Sequence, residues 1–185
     1  MRVLVACEFS GIVRDAFIAR GHDAISCDLL PTERPGPHIQ GDVREVLAGG
    51  YDLMLAFPPC TYLAYSGNRW HAGSQRRQDA LGFVRELMAA PIPRWAIENP
   101  RGVISSQIRR PDMVLQPWEY GHPESKATCL WLNGLPPLMV TAIMGGPRQA
   151  RILNMPGPRA DRAANRSRTY QGVADAMAEQ WGVLL

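Results

Sequence analysis

The sequence predicts one open α/β domain, and three observations carry that expectation. The chain opens with an apolar run, a glycine turn, an amphipathic segment and a second apolar run, which together read as a β-α-β unit. Two later apolar runs, residues 51–57 and 95–100, end in polar or reactive side chains, so two strands deliver chemistry to one edge of the sheet. Finally, 185 residues with 46% hydrophobic and 20% charged content suit a single domain with a sizeable core.

The elements follow in order. Residues 2–7 form the first strand, which stops at Glu8-Phe9-Ser10-Gly11. Ile12, Val13, Ala16, Phe17 and Ile18 are spaced for a helix that Gly21 ends. Residues 23–28 make a second strand with Asp28 at its end, a Pro/Gly-rich loop occupies 31–37, and 39–43 form a short further strand edge. Residues 51–57 are a buried strand, followed by a polar and aromatic loop to about Gln75. Helical spacing of Leu81, Val84, Leu87 and Met88 predicts a helix over 79–89, which Pro91-Ile92-Pro93 ends. Residues 95–100 are the next buried strand. Two short strands around Gly121 and Lys126, within 116–132, suggest an antiparallel addition to the sheet. A Pro/Gly/Arg-rich insertion spans 134–166, and a closing helix lies within 167–185.

Four cysteines without a C-x-x-C pair suggest neither a metal site nor a disulfide framework. No signal-peptide pattern opens the chain and no apolar run reaches membrane-spanning length, so the expected setting is a reducing cytoplasm. The net charge of +3 permits an anionic partner without requiring one. Arg148, Arg151, Arg159, Arg162, Arg166 and Arg168 read either as a phosphate-facing segment or as a solvated loop.

Cys60 is the outstanding candidate for chemistry. Pro58 and Pro59 stiffen the turn that carries it, and it stands at the carboxyl end of a buried strand, where open α/β sheets bind their ligands. The alternative, a small buried hydrophobe, describes many lone cysteines. Glu98-Asn99-Pro100 ends the following strand, 38 positions beyond Cys60.

Read in order, Glu8-Phe9-Ser10-Gly11, Asp28, Gly41-Asp42-Val43, Phe57-Pro58-Pro59-Cys60 and Glu98-Asn99-Pro100 resemble the motif series of the C5-cytosine DNA methyltransferases, in a small form lacking a large target-recognition domain. The resemblance implies a Rossmann-like, S-adenosylmethionine-dependent methyltransferase sheet with a small irregular C-terminal extension. It implies that Cys60 is the nucleophile, that Glu98 is the partner of pyrimidine N3, and that Asn99 buttresses the loop. Glu8, Phe9, Ser10, Gly11, Asp28, Asp42, Pro58 and Gly172 would cradle the cofactor, with Asp28 on the ribose hydroxyls and Asp42 on the adenine amino group. Asp42 reads equally well as a cap or a loop charge. Lys126 stands among the alternating positions that, in the family, carry ring-orienting arginines. Pro59, Thr61, Tyr62, Arg69 and Trp70, in and after the thiol turn, would meet the substrate, since aromatics interleaved with basic residues suit nucleic acid.

The implied partner is DNA. The same chemistry on a free pyrimidine nucleotide, and a catalytically silent nucleic-acid-binding module, remain as alternatives. A chain of this size could pair as a homodimer to complete its DNA surface.

Overall fold

The computed structural model describes residues 1–149 and 165–184. Its centre is a seven-stranded sheet of order β3-β2-β1-β4-β5-β7-β6. The strands are β1 (Arg2–Ala6), β2 (Asp23–Asp28), β3 (His38–Gln40), β4 (Leu53–Ala56), β5 (Arg94–Pro100), β6 (Met113–Leu115) and β7 (Thr128–Asn133). β1 to β5 pair in parallel, whereas β7 runs antiparallel to both β5 and β6. This is the open α/β sheet that the sequence predicts.

Alternate residues of the central strands feed two cores, which is why those strands read as continuous apolar runs. Val3, Val5, Leu53 and Leu55 face α1 (Ile12–Ile18) and the closing helix α5 (Gln171–Trp181), with Phe17 and Trp181 fully buried between them. Leu4, Ala6, Met54 and Ala56 face the other way, onto Leu81, Val84 and Leu87 of α3 (Gln75–Met88). α3 starts four residues before its expected beginning because Ser74 caps it, its hydroxyl accepting from the Arg77 N–H at 3.3 Å. Two short helices, α2 (Asn68–His71) and α4 (Ile104–Gln107), lie in the loops after β4 and β5.

The antiparallel pair sits elsewhere than expected. The strands are residues 113–115 and 128–133, and no strand forms around Gly121. Pro117 lacks the N–H a ladder needs, and Pro117–Glu119 instead forms a 3-10 turn closed by Glu119 accepting from the Gln116 N–H at 2.6 Å. Gly121 follows at φ 83. Of the irregular insertion, the described residues 134–149 run along this turn through Gly121 N–H to Ala142 O and Gln149 N–H to Pro123 O. Arg151, Arg159 and Arg162 lie outside the described residues. Among the described residues, no helix is long and apolar enough to cross a membrane.

The strand order reverses between β1 and β4. After β1 the chain moves outward through β2 and β3, then returns to β4 on the other side. Such a reversal opens a crevice at the carboxyl ends of the strands, where the turn after β1, Asp28 and the thiol turn all lie.

Candidate active site

β4 ends at Ala56, and the Phe57 N–H still bonds Ala6 O at 2.9 Å, so β1 aims the Pro58-Pro59-Cys60 turn. Behind that turn, buried Asn99 of β5 donates its Nδ2 hydrogen to Pro58 O at 2.8 Å. After it, the N–H groups of Leu63 and Ala64 close onto Cys60 O at 3.0 and 2.9 Å. The thiol is thus held from three directions, yet Cys60 remains exposed, unlike buried Cys27 and Cys129.

Glu98 stands on the neighbouring β5, one position beyond the Ala56–Ile97 pairing that ends β4, and acts on Cys60 electrostatically. The surroundings desolvate the sulfur, and Glu98 pushes its pKa further up, while Lys126 and Arg166 draw it down. Glu98 itself is raised, first by desolvation, against the opposing pull of Lys126 and a hydrogen bond from Thr128. Two acids that repel each other in their ionised forms favour a single charge between them. Lys126 serves both groups, and its Nζ also donates to Arg166 O at 3.0 Å. A small recess open to solvent adjoins Glu98 and Lys126, lined also by Thr128, Tyr170 and Val173 among others.

The other expected residues lie in the turn after β1, at the end of β2, in the turn after β3 and at the start of α5. Cys7, at φ 58, and Gly11, at φ 75, turn the chain sharply out of β1. Glu8 and Ser10 are buried and bonded to each other through the Ser10 hydroxyl. Free N–H donors are expected at the start of the first helix, but the Ile12 N–H is within 3.3 Å of Ser10 Oγ, and those of Ile12 and Val13 pull on the Glu8 carboxyl against its burial. Glu8 Oε2 has no donor of its own. Asp28 is half-buried, with its pKa raised by desolvation, and accepts from the Leu30 N–H at 2.9 Å. Asp42 caps the 3-10 turn Val43–Glu45 and pairs with Arg44, which holds its pKa down; both of its oxygens are thereby engaged. Gly172 packs on the 120–122 turn, where any side chain would strike Tyr120 O, and its N–H meets His122 Nε2 at 3.0 Å.

Beyond the thiol, Pro59 and Thr61 are exposed and Tyr62 is half-buried, its ring edge-on to His71 at 4.8 Å. Buried Arg77 of α3 fixes this loop by donating to Tyr62 O at 2.9 Å and Asn68 Oδ1 at 2.6 Å. Arg69 lies over the Trp70 ring at 3.9 Å, and Trp70 is 63% exposed.

Arg14 and Leu29, like Arg77, escape the sequence reading, and Arg168, read there within an arginine run, is ion-paired to Glu33. Arg14 is fully buried in α1 and donates to Asp15, Ser26, Thr32, Arg34 O and Pro35 O, so it holds the 31–37 loop in place. Its flanking Val13, Ala16 and Phe17, all core residues, were the available signal. Leu29 is 72% exposed directly after Asp28. Arg168 reaches Glu33 with a 2.7 Å bond from its Nε and passes over the Phe9 ring at 5.9 Å.

No protein-family model matches the chain, and no curated protein matches it in sequence. Solved structures do. A DNA modification methyltransferase encoded within an E. coli prophage superposes with a TM-score of 0.55 at 15% identity, over 80% of this chain and 53% of that one. The Entamoeba histolytica methyltransferase EhMeth gives 0.54 at 14% identity, over 80% and 57%. The S. pombe Dnmt2 methyltransferase gives 0.51 at 17% identity, over 84% and 55%. The chain spans about half the length of these structures, and what it shares with them is the Rossmann-like methyltransferase fold.

Proposed function

We propose that this chain is an S-adenosylmethionine-dependent methyltransferase acting on C5 of cytosine in DNA. The observation that carries the reading is the pairing of an exposed thiol with a desolvated carboxyl, Cys60 and Glu98, on adjacent strand ends. The fold shared with three methyltransferases supports it.

Cytosine C5 is a poor nucleophile. Cys60 Sγ, as thiolate, adds to C6 and forms an S–C6 bond, and the displaced electron pair moves toward N3. Glu98, whose pKa desolvation raises, hydrogen-bonds or protonates N3 and stabilises that charge. C5 then has enamine character and can accept a methyl group. Loss of the C5 proton to a base expels the thiolate and restores the ring. Asn99 preserves the distance between the two groups by fixing the Pro58 carbonyl. Lys126 limits the cost of a negative charge on either one.

The crevice fits the cofactor. S-adenosylmethionine, when bound, supplies the methyl group. Asp28 retains lone pairs for the ribose hydroxyls, Leu29 offers the adenine an apolar face, and the donorless Glu8 Oε2 suits the α-ammonium group. Phe9, Gly11 and Pro58 stand in the two turns that flank this crevice and would complete its lining. Asp42, already occupied by Arg44, keeps a lesser share, an acceptor for the adenine amino group. On the substrate side, exposed Trp70 with Arg69 stacked on it can lie against a base while a guanidinium meets phosphate, with Pro59, Thr61 and Tyr62 lining the approach.

Incubation with labelled S-adenosylmethionine and, in parallel, duplex DNA, single-stranded DNA, RNA and deoxycytidine monophosphate, followed by nucleoside mass analysis, tests the proposal. Labelled 5-methyldeoxycytidine from DNA is the expected product. Label confined to the free nucleotide would move the substrate, and no product from any of them would leave only a binding module.

A further inference from the structure

Polar side chains share one face of the sheet where β3 forms its edge. Ser26 pairs with His38, and Asp28 with Gln40, in the parallel register of β2 and β3. Alternate strand residues face the same way, so these four stand together while Cys27 and Ile39 pack into the core on the other side. The turn that leaves β2 is tied to them. Gln40 Nε2 donates to Leu29 O at 3.3 Å, His38 Nε2 meets Leu30 O at 3.0 Å, and the Leu30 N–H donates to Asp28 Oδ1 at 2.9 Å. Leu29 and Leu30 are 72% and 52% exposed, so apolar packing does not hold this turn. Its polar ties do.

The ties have a definite direction. A carbonyl oxygen only accepts, so His38 Nε2 carries the hydrogen, and Nδ1 of the neutral ring accepts from the Ser26 hydroxyl at 2.9 Å. Ser26 Oγ in turn accepts from Arg14 Nη1 at 3.3 Å. The series runs from fully buried Arg14 through Ser26 and His38 to the Leu30 carbonyl, and across Leu30 to the Asp28 carboxylate. Desolvation raises the pKa of that carboxyl, while the Leu30 N–H and His38 draw it down.

We propose that His38, supported by Gln40, is a positioning residue for the cofactor's ribose: it fixes the Leu30 backbone and, through it, the direction in which Asp28 presents its carboxylate. The inference rests on the reading of Asp28 as the ribose-binding residue of an S-adenosylmethionine site. Neither His38 nor Gln40 belongs to the motif series that suggested that site, and neither needs to touch the cofactor. A freed Leu30 can turn its N–H away. Asp28 Oδ1 then loses its donor, and the carboxylate gains rotamers that must be frozen again when the ribose binds, which lowers affinity. Gln40 acts on the preceding carbonyl from an exposed position and at a longer distance, so its share is smaller.

The test uses S-adenosylhomocysteine, which carries the same ribose and adenine, and its analogue lacking both ribose hydroxyls. In calorimetry on the full chain, His38→Ala should weaken S-adenosylhomocysteine about three- to tenfold, the equivalent of one hydrogen bond. The loss for the analogue should stay under about twofold, because the contact through which His38 acts is missing. His38→Gln, which can place an N–H donor near the same carbonyl, should recover most of the affinity. In the Asp28→Ala background, His38→Ala should cost less than about twofold, since residues acting through one contact are not additive. In the ligand-free chain, NMR should show the Leu30 amide exchanging with solvent faster in His38→Ala, while circular dichroism matches the parent's. A folded His38→Ala variant that binds S-adenosylhomocysteine as the parent does overturns the proposal, as does an equal loss for both ligands or an unchanged Leu30 exchange rate. A parent chain that binds neither ligand overturns the cofactor reading and the proposal with it, an outcome distinct from the others because in all of them the parent binds.

Discussion

Replacing Arg14 with Met tests how the crevice wall is built. Arg14 has no exposed side-chain surface, and its guanidinium supplies the 31–37 loop with donors to Thr32 Oγ1 at 3.2 Å, Arg34 O at 3.1 Å and Pro35 O at 3.2 Å. It also binds Asp15 at 2.7 Å and Ser26 Oγ at 3.3 Å. Met fills much of the same volume and keeps none of the donors. Breaking a buried charge pair typically costs about 3–5 kcal/mol. Here the Asp15 side chain is 34% exposed, and the freed carbonyls of Arg34 and Pro35 belong to exposed residues, so water recovers part of that loss. The expected destabilisation is about 2–4 kcal/mol, a large share of a domain's usual 5–15 kcal/mol. Urea unfolding followed by tryptophan fluorescence measures it, and amide hydrogen exchange over residues 31–37 should show that loop opening first. A loss under about 1 kcal/mol, with loop exchange unchanged, would refute the claim that Arg14 organises the loop.

Two further outcomes follow from the site. Asp28→Ala should weaken S-adenosylmethionine binding about tenfold or more in calorimetry, since hydrogen bonds to a charged acceptor are worth about 1.5–3 kcal/mol; unchanged affinity in a folded variant would remove Asp28 from the cradle. Glu98→Gln should cut turnover at least about a hundredfold while raising the melting temperature at pH 8 and leaving it unchanged near pH 4. The sign follows from linkage: burial raises the folded-state pKa of Glu98 above its unfolded value, so the penalty is absent below the unfolded pKa and grows as pH rises through the folded one. Equal melting at both pH values would mean that Glu98 is not held in the desolvated state assigned to it.

Much of the fold was legible in the sequence because its central strands are buried on both faces and so stand out as unbroken apolar runs. β4 and β5 were read to within two residues of their ends for that reason, and Cys60 and Glu98 came with them. β6 was not, because Met113-Val114-Leu115 is only three residues long and its partner begins beyond a turn that local propensity does not announce. The closing helix was found by its spacing, although its role in lining the recess beside Glu98 depends on how α5 packs against α1. Arg14 and Arg77 were missed as site-building residues for a shared physical reason. An arginine in a sequence reads as a solvated charge, and only tertiary contacts show that one is buried under a loop and another clamps the segment after the thiol. Asp42 shows the reverse case: the family resemblance implied an adenine contact while the residue read equally well as a cap, and in the structure it caps the Val43–Glu45 turn with both oxygens accepting from Arg44.

The central claim is that Cys60 forms a covalent bond to the pyrimidine ring during methyl transfer. The most direct measurement is intact-protein and peptide mass analysis after incubation with S-adenosylmethionine and an oligodeoxynucleotide containing 5-fluorocytosine, whose C5 substituent cannot leave as a proton. The account predicts a stable protein–oligonucleotide adduct that maps to the Cys60 peptide and disappears in Cys60→Ser. A preparation that methylates ordinary cytosine yet forms no such adduct, or whose Cys60→Ser variant keeps turnover within a few-fold of the parent, would contradict it.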